Sequence, residues 1–263
     1  MNVNPLRSLL GVPALCAGLA LVATGAFAAA AEAPAKTGAA YPKGQYAALD
    51  RLPDWGGVWV LNPAREGRER PVLKGKYLAD YQAWRRDAEA NKGMAARIGS
   101  NCRPPGLPGI MAVGQYPIDF LFTPGRLTML HEAWMQWRVI FTDGRQHPPL
   151  EEIEPSFYGH SVGRWEGETL IVDTIAIKTT VPLQAGMMHS ERVHVVERMS
   201  LQKGDPDTLV VEMTVQDPLA LEKPWNQTFT FRRERDWNLV EFICAENDRN
   251  PVDAEGQTLF EGR

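Results

Sequence analysis

From Ile118 almost to the C-terminus, apolar and polar residues alternate in short runs broken by turn residues, and that period restricts the chain to antiparallel sheet. "IDFLF" and "RLTMLHEAW" are separated by Thr123-Pro124-Gly125, with proline where its fixed φ helps and glycine where a positive φ is needed. "QWRVIFT" runs into Asp143-Gly144, "SVGRW" and "TLIVDTIAI" flank Glu166-Gly167, and "SERVHVVERMSL" and "DTLVVEMTV" flank Gly204-Asp205-Pro206. "QTFTFRRER" and "LVEFICAE" flank Asp236-Trp237-Asn238. The pattern predicts about nine or ten strands in hairpin order. A sheet of that size curls, and closing it hides its edges, so the expectation is a mainly β, lipocalin-like barrel, the kind that encloses one small ligand. An open, strongly bent sheet or a two-sheet sandwich would satisfy the same alternation.

The N-terminal part reads differently. Arg7, the apolar run "LLGVPALCAGLALVATGAFA" and the small residues around Ala28 have the layout of a Sec-type signal peptide over residues 1–28, which places the protein in the periplasm or outside the cell. Residues 29–54 are rich in Ala, Pro and Gly and read as a linker or arm, leaving 55–263 as a single barrel domain. No later stretch approaches the roughly 18 apolar residues of a membrane helix, so no integral membrane segment is expected after cleavage. One helix is predicted in "KYLADYQAWRRDAEANKG", where Tyr77, Leu78, Tyr81, Trp84 and Ala88 recur at helical spacing. A formal net charge of −4, with basic and acidic residues interspersed, gives no footprint for a nucleic acid.

Two cysteines follow the leader, Cys102 and Cys244, and an oxidising compartment would let them pair; two buried thiols are the alternative. No C-x-x-C occurs, and the histidines show neither H-x-H nor H-x-x-x-H spacing, so no metal and no cofactor is expected.

Gly159-His160-Ser161-Val162-Gly163 spells the G-x-S-x-G of a hydrolase nucleophile elbow. An elbow needs a buried strand before the serine and a helix after it, whereas here the acidic, proline-bearing "EEIEPSFYG" precedes and a hairpin follows. Ser161 therefore reads as a strand residue. Acid–base chemistry remains open, because a histidine beside a carboxylate can move protons near neutral pH. The catalytic candidates are His160, His189 and Glu246, with Glu132 and Glu191 as further carboxylates; Glu246 would otherwise pair with Arg138, Arg192 or Arg198. His189 follows Met187 and Met188 and is expected at a barrel mouth. Tyr116, Glu132, Trp134, Trp137, His147 and Tyr158 are the candidate ligand-binding residues, since aromatic faces with a few polar groups suit an apolar or aromatic molecule.

Several short motifs recur in one order: "FTPGR", "DGRQHP", "GHSVGRWEGETLIVDT", "HSE", "ER", "DP", "PW" and "CAEN". Together they resemble a largely uncharacterised group of exported bacterial proteins of lipocalin or calycin type, and Gly57-Val58-Trp59 matches the G-x-W that opens such barrels. The resemblance implies the barrel and assigns no catalytic residue. Three readings follow: a binder of a small apolar or aromatic molecule, a cofactor-independent lyase, hydratase or isomerase, and a structural envelope protein with a filled barrel.

Overall fold

A computed structural model describes residues 45–62, 69–90 and 102–244, all of which belong to one compact unit. The signal-peptide reading, most of the arm and Glu246 lie outside the described residues.

Nine strands form a closed barrel: β1 (Val58–Leu61), β2 (Ile118–Thr123), β3 (Arg126–His131), β4 (Gln136–Phe141), β5 (His160–Glu166), β6 (Thr169–Ile175), β7 (His194–Gln202), β8 (Asp205–Gln216) and β9 (Trp225–Glu234). Each pairs with its neighbours in chain order, and β1 closes the ring against β9 from Val58↔Glu234 to Leu61↔Phe231. Alternation decides which residues enter the lumen. Leu209, Val211, Met213 and Val215 of β8 are buried, while Glu212 and Gln216 between and after them are exposed. The N-terminal helix is present as α1 (Gly75–Ala90). Its half-buried stripe is Tyr77, Tyr81, Trp84 and Ala88, as the spacing predicts, although Leu78 turns outward; Tyr77 and Tyr81 pack against the core. Residues 45–51 of the expected arm form a short 3-10 helix.

Two features depart from a simple meander. β4 and β5 run parallel, joined only at Ile140↔Ser161 and Phe141↔Val162. Parallel strands require a crossover, which residues 142–159 supply with their prolines and lack of strand pattern. The predicted last strand, "LVEFICAE", is also absent over its described residues. Since β9 is already paired with β8 on one side and β1 on the other, no edge remains for a tenth strand. Residues 238–244 instead run over the surface as a strap. Glu132 Oε2 accepts from Val240 N at 2.9 Å, Phe242 packs edge-on against Tyr116 and tilted against Trp134, and Cys244 is disulfide-bonded to Cys102, 142 residues away in the chain.

The lumen is filled. Trp59, Met129, Ile140, Leu170, Val195 and Phe231 belong to one continuous apolar cluster. The guanidinium of Arg138, on β4, crosses the barrel to form a bidentate pair with Glu197 on β7. It also donates to Ser161 Oγ at 3.2 Å and Thr174 Oγ1 at 2.9 Å. β4 and β7 are separated by two strands in the sheet, so these side chains meet only through the interior. At one end Trp55 closes the barrel, its ring edge-on to Phe120 and Trp165, and Arg233 lies over the Trp59 ring, 4.6 Å from its centroid.

Candidate functional site

The parallel junction creates the site. Because β5 joins β4 over only two residue pairs, Gln136–Val139 has no strand partner on that side, and a cavity of about 360 Å³ opens there. Trp137, Phe141, Phe157, Tyr158 and His160 help line it. Two glycines set the local geometry. Gly159 has φ 68°, and a Cβ there would stand 2.4 Å from the Ile175 carbonyl oxygen; Gly163 faces Ile140 and Leu170 closely enough that a Cβ would be 2.8 Å from the former. G-x-S-x-G is therefore the signature of a tight strand crossing. Ser161 is buried within β5, and its hydroxyl is committed to Arg138 and Thr174.

On the outer surface beside the cavity, two histidines, His147 and His194, meet one carboxylate, and a third, His160, bonds to the first of them. Register places Asp173 of β6 opposite Val162 of β5 and Val196 of β7, so its side chain comes between His160 and His194, the first residues of those two strands. His147 arrives from the crossover. Asp173 Oδ1 lies 3.0 Å from His147 Nε2, Asp173 Oδ2 lies 2.8 Å from His194 Nε2, and His147 Nδ1 lies 2.7 Å from His160 Nδ1. The His160 ring also stacks on Phe141, with centroids 5.5 Å apart.

Electrostatics divide the array. Burial pushes the Asp173 carboxyl up, but hydrogen bonds from His194 and His147 and their charges outweigh it and hold the group below the usual carboxylate range. His194 is raised by its hydrogen bond to Asp173, against burial. His160 is lowered, first by burial and then by His147 and the Arg145 guanidinium. An ionised carboxylate only accepts hydrogen bonds, so both Nε2 atoms facing Asp173 carry hydrogen. Among the described residues no group of three His, Cys, Asp or Glu side chains is arranged to hold a metal ion; both ring nitrogens of His147 are engaged by neighbours and do not converge with the others on one point.

Of the residues singled out in the sequence, His147, Trp137, Tyr158 and His160 come together here. Tyr158 turns its ring inward to stack on His131, 6.4 Å between centroids. Burial drives the His131 imidazole down to about 3, aided by Arg138, so it stays neutral. Tyr116, Glu132 and Trp134 lie under the C-terminal strap. His189 is only 2% exposed, its Nδ1 is 2.7 Å from the Ser190 carbonyl oxygen, and burial lowers its basicity. Glu191 is exposed on the rim of a second cavity, about 590 Å³, formed with Leu150, Pro155 and Ile177. The residue that sequence reasoning missed is Asp173; its signal was a single charge interrupting the apolar run "TLIVDTIAI". His189 precedes β7 and His194 begins it, so the two histidines do not share one strand. No protein-family model matches the chain, and no curated protein matches it at a significant level, so the site rests on its geometry.

Proposed function

We propose that this is an exported protein that binds a small apolar or aromatic molecule in the cavity at the β4–β5 junction. The observation that supports it best is the lining: a pocket of about 360 Å³ bordered by Trp137, Phe141 and Phe157, with His160, Gln136, Arg138 and Ser161 among its polar groups. Pockets for small ligands are typically about 300–1,000 Å³, mostly apolar, with few polar groups that fix orientation. Trp137 is 64% exposed, and covering so large a ring is a gain that a ligand would supply. The Cys102–Cys244 bond suits an oxidising compartment, in keeping with the leader-like N-terminus.

Ligand-observed NMR against a panel of small aromatic compounds tests this reading. Trp137→Ala should weaken any hit by about tenfold, some 1.4 kcal/mol, while leaving thermal stability unchanged because the ring is exposed. The filled lumen favours a second reading, a structural envelope protein, and absence of any binding to the intact protein would return the molecule to it.

A further inference from the structure

We propose that Asp173, His147 and His160 form a proton relay that makes His160 Nε2 the general base for a carbon acid held in the β4–β5 cavity. The inference rests on the binding reading above and adds a reaction to it.

Hydrogen-bond direction along the chain leads to this assignment. Asp173 accepts from His147 Nε2–H at 3.0 Å, so the neutral His147 ring keeps its lone pair on Nδ1. Across 2.7 Å that lone pair accepts from His160 Nδ1–H. The lone pair of His160 is thereby left on Nε2, which has no hydrogen-bond partner among the described residues, on a side chain that lines the cavity. The other groups around His160 are Arg145, which disfavours a second positive charge there, and the Phe141 ring. His194 holds the opposite oxygen of Asp173 and fixes the carboxylate between two imidazoles.

In the forward step a substrate C–H bond next to a carbonyl breaks. Its electron pair stays on the substrate as an enolate, and the proton goes to His160 Nε2. The hydrogen on His160 Nδ1 passes to His147 Nδ1, so the positive charge comes to rest on His147, beside the Asp173 carboxylate. Reversal delivers a proton to a different atom of the enolate and restores the relay. The net change is an isomerisation of an apolar or aromatic carbonyl compound, with no oxidant, reductant or nucleophile consumed. Acyl transfer is disfavoured, because the hydroxyl of Ser161, which also lines the cavity, is engaged by Arg138 and Thr174.

The test uses 5-nitrobenzisoxazole, an aromatic carbon acid whose C–H loss to a base breaks the ring N–O bond and releases a coloured cyanophenolate. Its 3-methyl analogue lacks that hydrogen and reports binding alone, by tryptophan fluorescence. His160 touches the reacting hydrogen, so His160→Ala should lower turnover on the order of 10²-fold, the low end for general base catalysis, with the analogue still bound. His147 and Asp173 are positioning residues; His147→Ala and Asp173→Asn should each lower turnover roughly tenfold without changing that affinity. In the wild type the rate should fall as pH drops through the lowered His160 value, and in Asp173→Asn the midpoint should move further down, because the relayed charge loses its carboxylate. A purely structural Asp173 would leave that midpoint in place. If the intact protein does not bind the methyl analogue, the binding reading fails and the relay with it. If it binds, yet wild type and His160→Ala turn over equally, the relay alone is overturned. Unchanged rate and midpoint in Asp173→Asn would also overturn it.

Discussion

His160 and Ser161 are neighbours on β5, and Asp173 and Thr174 are neighbours on β6, yet each pair is split between two worlds by the two-residue period of the strand. Ser161 and Thr174 point into the lumen, where the Arg138–Glu197 pair and both hydroxyls satisfy one another without solvent. His160 and Asp173 point outward into a second network, which retains one ring nitrogen, His160 Nε2, with no hydrogen-bond partner among the described residues. A closed polar network specifies a fold; one with an open end beside a cavity can act on something else. Hydrogen bonding alone does not tell the two apart. Burial and the presence of an unengaged atom do.

The largest expected effect lies inside. Glu197→Ala should destabilise the protein by about 3–5 kcal/mol, read by denaturant unfolding, because it leaves the Arg138 guanidinium buried and uncompensated. Replacing both partners together, Arg138→Met with Glu197→Leu, should recover most of that loss, since two well-packed apolar side chains leave no charge in the lumen. A double variant as unstable as the single one would mean that the pair is wanted for more than charge balance.

His189 tests which side of the comparison a buried histidine belongs to. With its ring enclosed and Nδ1 bonded to the Ser190 carbonyl, His189→Ala should cost about 1–3 kcal/mol and leave ligand binding per folded molecule intact. Unchanged stability with lost binding would move it to the outer group.

The smallest effect is expected in the outer array and depends on pH. Asp173 is lowered, so its contribution is present above the ordinary value of 3.8 and is lost as pH falls through the folded value. His194 is raised above 6.5, so its contribution is complete below 6.5 and is lost as pH rises through the folded value. The pair therefore stabilises most between about pH 4 and 6.5 and fades as pH rises above 6.5 through the raised His194 value. Because both side chains are about a third exposed, screening keeps the effect below about 1 kcal/mol. Melting curves of Asp173→Asn should lose this pH dependence above pH 6.5 relative to wild type; identical profiles would remove the pair from the account.

Much of the fold was legible in the chain. Alternation from Ile118 onward, the turns at Gly125, Gly167 and Gly204, the helix stripe of Tyr77, Tyr81 and Trp84, and the Cys102–Cys244 bond all follow from local chemistry or from a count of thiols. Period two also tells which residues share a face, so His160 and Ser161 could be put on opposite sides. What local pattern cannot carry is the identity of the neighbour across a gap. "LVEFICAE" has the alternation of a strand, and only closure of β1 on β9 removes the edge it would have joined. Likewise Asp173 is one acid in an apolar run until the β5–β6–β7 register sets it between His160 and His194, and until the crossover brings His147 to its other oxygen. Apart from the last predicted strand, the strands, their faces and the chemistry each side chain can offer could be read from the chain, because these depend on residues next to one another. The parallel junction, the cavity beside it and the meeting of His147 and His194 on one carboxylate, with His160 bonded to His147, come from the closed sheet, because they depend on which distant segments it forces together.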